Sequence, residues 1–171
     1  MQSPVVKLVP KVFKNLHKIE LLSIFLIAIG LTLKIQNLSQ AILILLAPFA
    51  LLGISYFMIA VYAEVNKEGA VHRFMFKLRF LLMTIALNAI LFTLMNYTGG
   101  ELMIKVSAIG LIIILGYDII NRIGTSVPTN RNNLVRTIVF LAILLALLLT
   151  PQEGINKTLN NTKHKAKVSY H

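Results

Sequence analysis

The chain has 171 residues, 57% of them hydrophobic, with seventeen Lys and Arg against six Asp and Glu and a mean hydropathy of +0.78. That balance excludes a soluble domain, and the absence of cysteine excludes disulfides and Cys-based metal or thiolate sites. The charge of +11 does not point to nucleic acid, because the cations cluster at the ends of apolar runs instead of forming a basic patch interleaved with aromatics.

The chain opens on Lys7, Lys11, Lys14 and Lys18, with Val5, Val9, Val12, Leu16 and Ile19 keeping the same helical rhythm one step away. Such a stretch can lie among anionic headgroups, or it can be the positive flank of the first membrane helix. The first apolar segment, Leu21 to Leu33 between Glu20 and Lys34, is short for a bilayer core, which needs roughly 20 helical residues. It spans if both charges snorkel outward, placing a helix over about residues 19–35. The alternative is a signal peptide, cleaved near Ser39-Gln40-Ala41.

No charge interrupts Ile35 to Ala63, and the second span is expected over 41–63. Pro48 should bend it, and Gly53 offers a close-packing face. A polar connection from Glu64 to Arg79 follows, and the third span, 79–98, carries Thr84 and Asn88 one turn apart. Polar groups in hydrocarbon are expected to hydrogen-bond across to another helix, either as interhelical glue or as part of a substrate path with Ser55 and Ser107.

Gly99-Gly100 reads as a tight turn into the fourth span, 102–120. There Glu101 can pair with Lys105 one turn on, and Asp118 with Arg122. Asp118 is a functional candidate because ionisable groups in membranes are costly, although charges within a turn of the interface also serve as anchors. The fifth span, 134–150, holds Ala142 and Ala146, a small-xxx-small pair suited to close helix approach. The tail 151–171 is polar and basic and is expected to be disordered.

The fold expected is therefore all-α: one polytopic transmembrane helix bundle over 1–150, with five spans, or four if the first is cleaved or the fifth lies flat. Lys7, Lys11, Lys14, Lys18, Lys67, Arg73, Lys77, Arg79, Arg122, Arg131 and Arg136 would gather on one side, against Lys34 and Lys105 on the other. The bias places the N-terminus in the cytoplasm of a multi-pass protein, with a bacterial inner membrane as the expected location. At an offset of 60 residues Leu31 aligns with Leu91, Gln36 with Asn96 and Ile44 with Ile104. The two hairpins are then a parallel repeat, or a coincidence between two apolar hairpins.

Leu33-Lys34-Ile35-Gln36-Asn37-Leu38-Ser39-Gln40-Ala41 resembles a bacterial hairpin motif whose fuller form is Phe-Lys-Ile-x-His-x-Pro-Gly-Ala. That motif occurs in the membrane subunit of the gliding-motility and type IX secretion motor and in similar small membrane proteins. The resemblance covers about residues 19–63, with Lys34, Ile35 and Ala41 matching and Asn37, Ser39 and Gln40 replacing the histidine, proline and glycine. It implies a two-helix hairpin. The family's carboxylate in the second helix falls at about Leu52 here, so the resemblance carries the hairpin and not a proton-driven motor role.

No nucleophile elbow, zinc-protease helix motif, phosphate loop or juxtaposed carboxylate pair occurs, and no cofactor or metal set is recognisable. The function expected is non-enzymatic: a structural or assembly subunit of a membrane complex, with a membrane-protein partner or copies of itself. The alternative is a small transporter or oligomeric pore lined by Ser55, Thr84, Asn88, Ser107 and Asp118.

Overall fold

The computed structural model describes residues 4–36, 38, 40–63, 69–95, 97–124 and 131–150. Five helices run in chain order: α1 (Pro4–Ile35), α2 (Ala41–Tyr62), α3 (Ala70–Leu94), α4 (Gly100–Gly124) and α5 (Arg131–Leu149). All are long and apolar enough to cross a membrane, and the chain is a multi-pass membrane protein on that ground. The expected tail 151–171, the motif residues Asn37 and Ser39, Asn96 of the offset alignment, and the Lys7 side chain lie outside the described residues.

The helices form because an apolar medium leaves backbone amides no partner except one another. The predicted starts at residues 19 and 79 fall well inside α1 and α3. A lysine or arginine lowers apparent hydropathy without breaking a helix, so both helices extend through their charged lead-ins. The lysine-rich lead-in is part of α1 and not a separate surface helix. Val9 and Leu16 are buried while Lys11, Lys14 and Lys18 are exposed. Phe13 packs against Phe76 and Phe80 of α3 at ring-centroid distances of 6.1 and 6.4 Å.

Successive helices pack as antiparallel neighbours, and α5 returns over both α4 and α3. The α1–α2 and α3–α4 turns share one end of the bundle, called here the hairpin end. Ile35 and Leu94 close the first helix of each hairpin, and Ala41 and Gly100 open the second. The two turns are tied together where the Lys34 Nζ donates to the Leu94 carbonyl. Gly99 turns the second hairpin at φ 92°, a left-handed conformation that glycine adopts without a Cβ penalty.

Close helix approach occurs at three glycines outside the expected set: Gly100 beside Thr93 at the hairpin turn, Gly30 and Gly110. A Cβ on Gly30 would lie 2.7 Å from the Leu45 Cγ, and one on Gly110 would lie 2.6 Å from the Leu82 Cδ1. Gly53, expected as a packing face, has nothing within 4 Å of its Cβ position, and Ala142 and Ala146 face outward. The local sequence misplaces these contacts because helices that are apolar all round give no stripe to separate lipid-facing from bundle-facing residues. Pro48 is buried inside an unbroken α2.

Candidate functional site

Five charged or phenolic side chains converge in one layer of the bundle, away from the hairpin end. At 1.5 Å per residue, Glu20, Tyr56 and Arg79 each stand about 22 Å along their helices from the hairpin end, and Asp118 stands about 27 Å from it. A hydrocarbon core about 30 Å thick encloses Glu20, Tyr56 and Arg79 and reaches its boundary near Asp118.

The first centre joins three helices. The Glu20 carboxylate of α1 accepts from the Tyr56 hydroxyl of α2 at 2.7 Å. It also accepts from Arg136 of α5, through Nε at 2.6 Å and Nη2 at 3.1 Å. The remaining Arg136 nitrogen, Nη1, donates to the Asn133 side-chain oxygen at 3.1 Å. A planar guanidinium offers parallel donors matched to the two oxygens of a carboxylate, so this fork uses all three guanidinium nitrogens.

The second centre joins α3 and α4. The Arg79 Nη2 donates to both oxygens of Asp118 at 2.5 Å, with Arg79 only 5% and Asp118 only 1% exposed. The Arg79 Nε is buried without a partner among the described residues. The His72 ring lies tilted against Tyr117 toward the same end, at 6.2 Å between ring centroids.

An aromatic cluster separates the two centres. Phe80, next to Arg79 in sequence, lies 5.0 Å from Phe76 and 5.7 Å from Tyr56, and Tyr56 lies 5.9 Å from Phe140. Such ring pairs contribute on the order of 0.5–1.5 kcal/mol each beyond their area. Among the described residues no hydrogen bond links the two ion pairs.

The residues singled out from sequence are arranged differently from expectation. The Asp118 partner is Arg79 on another helix, not Arg122 on its own; Arg122 is exposed. Glu101 and Lys105 do pair, at 2.6 Å. Thr84 and Asn88 do not bond across helices. The Thr84 hydroxyl donates to the Phe80 carbonyl at 2.9 Å and the Asn88 amide to the Thr84 carbonyl at 3.1 Å. The Ser55 and Ser107 hydroxyls likewise donate back to Leu51 and Met103, each at 2.7 Å. An i−4 carbonyl is always within reach of a short polar side chain on a helix, and here it wins over a distant partner.

Sequence reading missed Glu20, Tyr56, Arg79 and Arg136, taking the first as a flank and Arg79 as a loop residue. The available signal was Glu20 itself, a carboxylate at the start of an apolar run too short to span alone. Among the described residues no group of three His, Asp or Glu side chains is placed to hold a metal. Comparison with protein families, characterised proteins and solved structures finds no match to the chain.

Proposed function

We propose that the protein is a non-enzymatic structural or assembly subunit of a larger membrane complex. It would sit in a bacterial inner membrane with its N-terminus in the cytoplasm. One observation carries this reading: the side chains singled out from sequence as lining a path through the membrane are already bonded within the protein. Ser55, Thr84, Asn88 and Ser107 bond to their own helices, and Glu20 and Asp118 are held by arginines. Conduction or transport needs polar groups left available through the midplane, whereas a scaffold needs its helices fixed in register, which interhelical ion pairs do.

The orientation rests on charge. Lys11, Lys14, Lys18, Arg73, Lys77, Arg122 and Arg131 lie at the end opposite the hairpin turns, and Lys34 and Lys105 at the hairpin end. Cytoplasmic loops carry the excess of Lys and Arg. The exposed lysines of α1 would meet anionic headgroups there. The resemblance of residues 19–63 to the motor-subunit hairpin fits a scaffold more than a motor. Leu52, at the position of the motor carboxylate, is a buried core residue.

Purification of the tagged chain in mild detergent at native expression, followed by mass spectrometry, tests the reading. A stoichiometric membrane-protein partner is the expected result. A clean homo-oligomer that supports solute flux in liposomes, with flux abolished by Asn88→Leu, would replace the scaffold with the transporter or pore.

A further inference from the structure

The backbones of α1 and α5 stay apart: no Cα of one lies within 8 Å of the other. They are joined across that gap by the Glu20–Arg136 fork. Outside the fork, toward the end opposite the hairpin turns, opens a crevice of about 340 Å³ lined by His17, Glu20, Arg131, Asn132, Val135 and Arg136.

Its chemistry is cationic. Glu20 is taken up by Arg136 and Tyr56, while Arg131 and His17 are exposed and make no hydrogen bond or ion pair with any described residue. Its depth is that of lipid phosphate. His17 lies about 27 Å along α1 from Ile35, and Arg131 about 27 Å along α5 from Leu149. In a core of about 30 Å both therefore sit at the boundary where headgroups begin. Its side is open to the bilayer, since α1 and α5 are the two least buried helices of the bundle.

We propose that the crevice between α1 and α5 binds the phosphate of one anionic phospholipid per chain. Arg131 and His17 would hold the phosphate in front of the Glu20–Arg136 fork. The ligand chemistry is a phosphate oxyanion, and the source assigned here is a lipid entering sideways between the two helices. This site is distinct from the exposed α1 lysines, whose attraction to headgroups is delocalised, and it does not depend on the assembly role.

The test is native mass spectrometry of the full chain released from nanodiscs containing phosphatidylglycerol and phosphatidylcholine, scored as lipid retained. Retention of one phosphatidylglycerol per chain, in preference to phosphatidylcholine, is expected. Arg131→Gln should reduce it about fivefold, the factor expected for one cation near a membrane surface. Val135→Trp, which fills the crevice at unchanged charge, should reduce it at least as much. Arg122→Gln removes a cation at the same end but outside the crevice and should leave retention unchanged; circular dichroism confirms that each variant folds. Equal losses in Arg122→Gln and Arg131→Gln, or retention unaffected by Val135→Trp, would overturn the site. Displacement of the lipid by inorganic phosphate would overturn the lipid assignment and leave a soluble oxyanion as the ligand.

Discussion

Replacing Asp118 by Asn should be the most damaging conservative change in the molecule. Arg79 is 5% exposed and Asp118 1%, and Arg79 stands nine residues inside α3, about 13 Å from its first turn. Its guanidinium is enclosed by the bundle. The two 2.5 Å bonds to Asp118 are its neutralising contacts, and its Nε already lacks a partner. Removing one member of a buried pair leaves an uncompensated charge and costs about 3–5 kcal/mol. For a chain of this size, in which 1 kcal/mol moves Tm by about 2–4 °C, the expected fall is about 6–20 °C. Differential scanning fluorimetry in a single detergent measures it. The double variant Arg79→Met/Asp118→Leu removes both charges and the desolvation cost together, so it should recover most of the loss. A fall of less than about 3 °C in Asp118→Asn, or a double variant as unstable as the single one, would refute the account of the pair.

Tyr56→Phe removes one of three donors to Glu20 and leaves the Arg136 fork in place. Its cost should be about 1 kcal/mol, between the membrane average near 0.6 and the larger value for charged partners in water, read as a Tm fall of about 2–4 °C. Gly110→Ala puts a Cβ 2.6 Å from the Leu82 Cδ1 and should destabilise by about 1–2 kcal/mol. Leu82→Ala in the same chain should relieve part of that loss, and additive losses in the two variants would rule out the clash. The Ser23 hydroxyl is fully buried with no partner among the described residues. Ser23→Ala should therefore leave Tm unchanged or raise it, and a clear fall would reveal a bond not seen here.

The spans were legible because hydrocarbon length and backbone satisfaction are local demands, written in runs such as Ile35 to Ala63. The extents of α1 and α3 were not, since hydropathy charges every Lys and Arg the same cost whether or not a partner waits for it. Arg79 shows the difference: its partner is thirty-nine positions away, on a helix that comes alongside only after folding. Local spacing offered Asp118 the nearer Arg122, and the fold chose the inward-facing residue. Thr84, Asn88, Ser55 and Ser107 were found as polar residues in apolar helices, but sequence cannot say whether a hydroxyl will prefer its own helix or a neighbour. Gly30 and Gly110 were missed for a related reason, as close approach depends on which face of an all-apolar helix turns inward.

The Glu20–Arg136 fork joins α1 to α5, and among the described residues of the helices between them only Tyr56 bonds to the same carboxylate. Synthesis runs in the other order of need. When α1 through α4 have entered the bilayer, Arg79 and Asp118 are both present and can neutralise one another, but Glu20 has a hydroxyl and no cation. The carboxylate stays uncompensated until Arg136 arrives with α5. Until α5 is in place the bundle thus carries a carboxylate without its arginine, and the arrival of α5 is what neutralises it.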